Sequence, residues 1–383
     1  MGPLSSDFVR QMPTTGAFSF GGARVRRGLG LDGTLLSLLL CLTTCGLFVL
    51  YSASGQNLSV VYRQMTYLTV GYAGMYFISK MSLDTVRSLA PIIYGIGCLL
   101  LVLVLVMGVG AKGAQRWIEF GSIRFQPSEI MKLAVPLFVA WYLSNQKLPP
   151  SFGNVLVVLI IVSVPAGLIV VEPDLGTSIL VTAAGLFVLW LAGLGFSYIA
   201  GALGVLAVSA YPIWTFFLRD YQKTRILTLF EPDTDRLGAG WNITQSKTAI
   251  GSGGFTGKGW LDGTQSHLDF LPESHTDFIV AVLAEEYGLI GVTFILGLYV
   301  AIFLRGFYLS WKSSSLFGQL IGGAIMLTFF TYVLVNMGMV SGILPVVGVP
   351  LPLVSQGGTS VVSLLIAFGV LMLVAKNRRS LNS

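Results

Sequence analysis

Charge is scarce in this chain. Only 10% of its 383 residues are charged, against 54% hydrophobic. An ordinary soluble domain carries about 25% charged residues. The scarcity excludes that class, and the mean hydropathy of +0.80 agrees. Histidine is rarer still, with His267 and His275 alone. No third ligand stands at zinc spacing beside them, so a surface or hydrogen-bonding role is their default. The three cysteines, Cys41, Cys45 and Cys98, fall inside apolar runs. They indicate small packing residues and no disulfide framework. Strand-period alternation on the scale of a barrel is missing, as is any internal repeat. The first 31 residues hold Arg10, Arg24, Arg26 and Arg27, with no small-residue cleavage site in the apolar run that follows. That run reads as a retained span, not a removed signal.

What the chain has is a series of apolar runs, each long enough to cross ~30 Å of hydrocarbon as a helix. Helices satisfy their own backbone polar groups in lipid, so the fold class is an all-α polytopic membrane protein. We read ten spans, at about Asp32–Ala53, Val61–Ser79, Leu89–Met107, Ser128–Leu143, Val155–Val171, Gly176–Leu194, Tyr198–Leu218, Leu289–Arg305, Phe317–Val340 and Pro352–Ala375. An even number puts both termini on one side. The basic N-terminus and the tail with Lys376, Arg378 and Arg379 mark that side as cytoplasmic. The expected organisation is a cytoplasmic tail 1–31, a transmembrane domain 32–375 with a large extracytoplasmic loop 219–276 between helices 7 and 8, and a cytoplasmic tail 376–383.

The short loop after the third span reads GAKGAQRWIEFGSIRFQPSEIMK and carries Lys112, Arg116, Arg124 and Lys132. The long loop adds Arg219, Lys223, Arg225, Arg236, Lys247 and Lys258. With Arg63, eleven of the 23 cations lie outside. A loop approaching roughly 60 residues translocates regardless of its charge, but a short one does not. An anionic ligand at the outer surface is the simplest reason for the short loop's cations. Pairing with lipid phosphates is the plainer alternative.

The longest polar interval runs from Phe230 to Glu286. Its GSGGFTGKGW is neither a Walker A nor a dinucleotide fingerprint, because the spacing is wrong and no βαβ unit surrounds it. WNITQSKTAIG has helical spacing and suits an amphipathic segment on the membrane surface. Further on, Ser341–Ser360 contains Pro345, Pro350 and Pro352, so it cannot be one helix. It reads as a re-entrant or capping element on the outer side, covered by protein or lining a cavity.

Six acids stand near the outer ends of spans: Glu129, Glu172, Asp174, Asp277, Glu285 and Glu286. Ionisable groups at membrane depth are functional candidates by default. Plain structural readings stand beside that one. Glu129 follows Pro127 in a first helical turn, where the dipole favours a carboxylate, and Lys132 shares its face. Asp174 is placed to cap the sixth helix. Asp277 follows Ser274-His275-Thr276, a sequence suited to starting a helix. Counting back about 20 residues from Arg305 puts Glu285 and Glu286 at the outer interface and Asp277 roughly 12 Å beyond. A carboxylate there, opposite the basic loop, suits a general base beside an anionic leaving group.

Several long stretches carry a family resemblance. They are YSASGQ (51–56), KGAQRWIEFGSIRFQPSEIMKLAVP (112–136), EPDLGTS (172–178), GWNITQSKTAIGSGGFTGKGW (240–260), GTQSHLDFLPESHTDFIVAVLAEEYGLIG (263–291) and NMGMVSGILPVVGVPLPLVSQGGTS (336–360). The chain resembles the SEDS family (shape, elongation, division, sporulation; RodA, FtsW, SpoVE), and its RodA branch on SASGQ and HTDFI. The resemblance runs from about Asp32 to the C-terminus. One departure is Gln356, where the family usually has an aromatic residue; packing, not chemistry, is expected to change.

The resemblance implies a GT-C-like fold and a peptidoglycan glycosyltransferase of cell elongation. Such an enzyme polymerises lipid II at the outer face of the inner membrane. It implies Asp277 as the catalytic aspartate, with Glu129 and Lys132 beside it and Arg116 and Arg124 in the basic loop. Lys112, Asp174, Lys258 and Ser355, in the matching stretches, join the expected pyrophosphate and sugar contacts. A divalent cation, Mg or Mn, is a candidate cofactor, and no organic cofactor is expected. The implied partners are lipid II, a class B penicillin-binding protein transpeptidase, other elongation-complex membrane proteins and membrane lipids, with no nucleic acid. The alternative is a lipid II flippase. That activity calls for polar groups along the inner halves of the spans, which are almost free of charge here.

Overall fold

The computed structural model describes residues 31–111, 114–120, 123–231, 238–264 and 273–377. Twelve α-helices and a small sheet appear among them. The first three helices are α1 (Gly33–Ala53), α2 (Leu58–Lys80) and α3 (Leu83–Met107). Asp32, Asn57 and Ser82 cap them by accepting hydrogen bonds from backbone N–H groups of the first turn. Three short antiparallel strands follow: β1 (Val109–Ala111), β2 (Ala114–Phe120) and β3 (Ile123–Phe125), in the order β1-β2-β3. The segment with the anomalous cations is therefore a folded sheet and not a plain loop. Glu119 faces Arg124 across it.

Next come α4 (Pro127–Ser144), α5 (Phe152–Val171), α6 (Leu175–Leu191) and α7 (Phe196–Pro212), the last continued by a π-helical turn, Ile213–Phe217. The long polar interval contributes α8 (Asp220–Phe230) and α9 (Ala239–Gly253). The chain closes with α10 (Ile279–Trp311), α11 (Leu316–Val340) and α12 (Thr359–Lys376). Helices occupy all ten expected apolar runs. Seven of these helices are long and apolar enough to cross a membrane, namely α1, α3, α5, α7 with its π turn, α10, α11 and α12. The more polar α2 and α4 and the shorter α6 complete the set.

Three features differ from expectation, each for a local reason. The last helix begins at Thr359, not Pro352, because the prolines hold 341–358 out of helical geometry. That segment is buried at Val349, Leu351, Leu353 and Val354, as a capping element should be. The eighth span starts ten residues early, at Ile279, and passes a kink at Gly288. Glu285 and Glu286 are tolerated inside it because both are buried against polar partners. Finally, α9 packs onto the bundle, not onto lipid. Ile243, Ser246 and Ala249 are buried, and Ser246 Oγ donates to Val340 O at 2.8 Å.

Apolar burial drives helices together only weakly in lipid, so polar ties matter more. At the end of the bundle opposite the sheet, Arg305 Nε and Nη2 donate to the Asp32 carboxylate at 3.1 and 2.8 Å. In the core, Tyr299 Oη donates to Pro352 O at 2.5 Å and locks α10 to the capping segment.

Candidate active site

Several elements meet at the sheet end of the bundle. Pro127 opens α4, where its fixed φ suits a first helical position, and sets Glu129 in the first turn. Lys132 lies three residues on, and its Nζ stands 2.6 Å from Glu129 Oε1. The Lys132 ammonium also sits 5.0 Å from the centre of the Tyr332 ring on α11. Ser363 Oγ of α12 donates to the other Glu129 oxygen at 3.4 Å. The pair is largely buried, with side chains 14% and 9% exposed, so each charge depends on the other.

The turn between α5 and α6 forms the second wall. Asp174 caps α6, accepting from Thr177 N at 3.2 Å and Thr177 Oγ1 at 2.9 Å. Arg116 reaches over from β2. It donates to the carbonyls of Glu172 and Pro173 and lies 3.7 Å from Asp174 Oδ2. Its guanidinium thus holds the turn as well as facing the cavity. Beneath it, the Glu172 side chain is buried, and neither carboxyl oxygen meets a hydrogen-bond partner among the described residues. Burial pushes this carboxyl up to about 8; Asp174 adds to the rise and Arg116 opposes it.

Asp277 stands in the turn just before α10. Ser274 does not cap that helix as its sequence suggests; its Oγ donates to Ala53 O on α1 at 3.0 Å. The turn closes on Glu273 instead. Thr276 N and Phe278 N both donate to Glu273 O at 3.2 Å, and Thr276 Oγ1 donates to Glu273 Oε2 at 2.7 Å.

These walls enclose a polar cavity of about 310 Å³. Arg116, Glu129, Lys132, Asp174 and Asp277 line it together, with Trp117, Gln126, Thr177, Glu273, Thr276 and Gln356. Glu129, Lys132, Pro350, Gly357 and Ser360 also line an apolar cavity of about 70 Å³ between α4, α11 and α12. The polar cavity and the apolar one therefore share a wall.

Other expected site residues lie elsewhere. Ser355 lines the apolar cavity, where its Oγ accepts from Leu351 N at 2.9 Å. Arg124 is exposed and pairs with Glu119 at 2.6 Å across the sheet, away from the cavity lining. Lys258 pairs with the buried Glu285 at 2.7 Å and also reaches Thr264, while Glu286 accepts from Ser52. Lys112 and His267 fall outside the described residues. Glu273, Thr276 and Gln126 line the cavity without any expectation from sequence, although Glu273 stands four residues before Asp277 in the same motif. Gln356 lines the polar cavity, so its departure from the family's aromatic residue reaches the site wall itself. Among the described residues no three His, Cys, Asp or Glu side chains converge into a metal-holding group.

Comparison with known proteins places this architecture. The Escherichia coli (strain K12) peptidoglycan glycosyltransferase MrdB is 47% identical over 352 residues, 92% of this chain and 95% of that protein. Stage V sporulation protein E of Bacillus subtilis (strain 168) is 35% identical over 360 residues, 91% of this chain and 98% of that protein. Among solved structures, a chain from a peptidoglycan synthase complex coordinating polymerization and crosslinking superposes with a TM-score of 0.81 at 30% identity, covering 92% of this chain and 99% of its own. The Thermus thermophilus rod shape determining protein RodA superposes at 0.69 with 28% identity, covering 91% and 98%. The family model FTSW_RODA_SPOVE, described as cell cycle protein, matches residues 33–380, nearly the whole helical bundle and every wall of the cavity. The chain belongs to this family.

Proposed function

We infer that the chain is a peptidoglycan glycosyltransferase that polymerises lipid II into glycan strands. The observation that carries this reading is the adjacent pair of cavities, polar around Asp277 and the Lys132–Glu129 pair, apolar between α4, α11 and α12. A lipid-linked saccharide has the same division, with a sugar and pyrophosphate head on an apolar tail. The wholesale likeness to MrdB supports the same activity.

In the mechanism, the Asp277 carboxylate takes the proton from the 4-hydroxyl of the acceptor sugar. That oxygen attacks the anomeric carbon of the donor, with inversion, and the bond to the lipid pyrophosphate breaks. Lys132 faces the departing pyrophosphate, and Glu129 holds the ammonium in place. Arg116 contributes positive charge from the opposite wall. The cavity lining has four carboxylates, Glu129, Asp174, Glu273 and Asp277, against two cations, Arg116 and Lys132. A doubly charged leaving group in such a lining favours a divalent cation carried with it. As no three ligands converge among the described residues, such an ion would be held by the pyrophosphate and one or two of these carboxylates. It would supply charge neutralisation.

The cavity opens at the end of the bundle opposite the start of α1 and the end of α12, which supports an outward-facing site in the bacterial inner membrane with both termini in the cytoplasm. The likeness to a chain from a complex that couples polymerization to crosslinking supports a class B penicillin-binding protein transpeptidase as partner.

The test is polymerisation of purified lipid II by the protein with its partner. Asp277→Ala abolishes glycan product while folding and partner binding persist, and a chelator lowers the rate of the unsubstituted enzyme. Near-normal product from Asp277→Ala would sink the assignment of the base. Full activity in chelator would remove the cation.

A further inference from the structure

We propose that Asn336 is a positioning residue for the Asp277 carboxylate, acting through main chain and not through substrate. The proposal rests on the reading of Asp277 as the base. Asn336 sits on α11, is 0% exposed and lies outside the cavity lining. Its one amide nitrogen donates twice, to Asp277 O at 2.8 Å and to Val349 O at 2.7 Å. Those two carbonyls belong to the two backbone segments that flank the reacting carboxylate. One segment is the turn that carries Asp277. The other contains Gly348, which has a left-handed φ of +78°. A Cβ built on Gly348 would stand 3.6 Å from Asp277 Oδ2, in van der Waals contact with it. The Asp277 side chain therefore lies against a backbone wall that the same amide holds.

A second buried amide anchors the other side of the turn. Gln64 of α2 is 1% exposed; its Nε2 donates to Ser355 O and its Oε1 accepts from Gly357 N, both at 3.2 Å. Between those two residues, Gln356 N donates to His275 O at 3.0 Å. The turn is thus suspended between two long helices by side-chain-to-backbone bonds. Asn336 makes the one that touches Asp277 itself. A displacement near 1 Å in a reacting group costs about 100-fold in rate. A single amide that sets both the acid and its wall has that leverage.

A merely structural buried amide would also be hydrogen-bonded, so the test must separate the two roles. The full-length protein with its partner is assayed on lipid II. Asn336→Leu removes both donors at similar volume, and Asn336→Ser shortens the side chain to a single donor. The expected result for Asn336→Leu is a kcat loss of about 30- to 100-fold with KM and lipid II affinity nearly unchanged. In an Asp277→Glu background, where the longer arm is already misplaced, the same substitution costs much less than it does alone. Asn336→Ser falls between, and it gives the readout if Asn336→Leu does not fold. Full kcat in a folded Asn336 variant overturns the proposal. So does a loss matched by the unfolded fraction in thermal melts, or a loss that multiplies fully with Asp277→Glu. An active Asp277→Ala would instead overturn the base itself, which keeps the two failures apart.

Discussion

The Glu172 carboxyl is buried, with Arg116 and Asp174 near it. Its proton is held up to about 8, chiefly by burial. In the unfolded chain the same group ionises near the ordinary glutamate value, about 4.3. Between those values the folded state binds the extra proton, so stability falls as pH rises through the window. The contribution is fully present below the unfolded pKa and is lost by about pH 8. Glu172→Gln keeps the shape and removes the titration. The melting temperatures of the two proteins should coincide at about pH 4 and below and separate toward pH 8, with Gln the more stable. The ceiling is about 1.4 kcal/mol per pH unit. Parallel curves would mean that the carboxyl does not titrate in that range.

Other residues at this scale show what sequence spacing conveys. The i,i+3 spacing of Glu129 and Lys132 announced their ion pair, and Asp174 before an apolar run announced its cap. Spacing is silent about distant partners. By sequence Arg124 and Lys258 suit an anionic ligand, but each lies in an ion pair away from the cavity, with Glu119 and Glu285. Asn336 and Gln64 were unreadable, because each acts on the backbone of a remote segment and an apolar stretch around an amide looks the same whatever it holds.

At the scale of elements, the Gly-rich arm after α9 becomes intelligible. It is a latch against the kink of α10, not a cradle for phosphate. Lys258 N and Gly259 N donate to the carbonyls of Glu285 and Glu286, both at 3.0 Å, while Leu289 N donates to Gly254 O at 3.0 Å. These bonds satisfy the backbone groups that the kink at Gly288 frees. Gly257 has φ +79°, and a Cβ there would overlap the Glu286 carbonyl oxygen. Gly257→Ala should therefore lift the arm away from α10. The left-handed backbone alone costs about 1–3 kcal/mol for a residue with a side chain. A lowered melting temperature and faster proteolytic cleavage near 257–264 are the expected readouts. An unchanged cleavage rate would show that the arm tolerates the side chain without moving. The glycines themselves were legible, but their purpose was not, since the interaction that needs them depends on a kink in another helix.

For the whole molecule, the ten apolar runs carried most of the architecture. Lipid makes span length and apolarity nearly sufficient to place helices, and no comparable constraint acts on the sheet, whose strands are too short to leave a clear period. The same economy of charge argues the orientation. The end that bears Lys80, Arg87, Arg305 and Lys312 carries few acids, and Asp32, one of them, is matched by Arg305. The cavity end holds the acids and cations of the site. A single cysteine at Thr248, exposed on α9, should react with a membrane-impermeant maleimide in intact spheroplasts. One at Ser314, exposed between α10 and α11, should react only after permeabilisation. The native Cys41, Cys45 and Cys98 lie within the helices α1 and α3, so background labelling should be low. The reverse pattern would turn the polar cavity toward the cytoplasm. Asp277 would then face the side from which no outward strand can grow, and the polymerase reading would fail on topology even with every cavity distance intact.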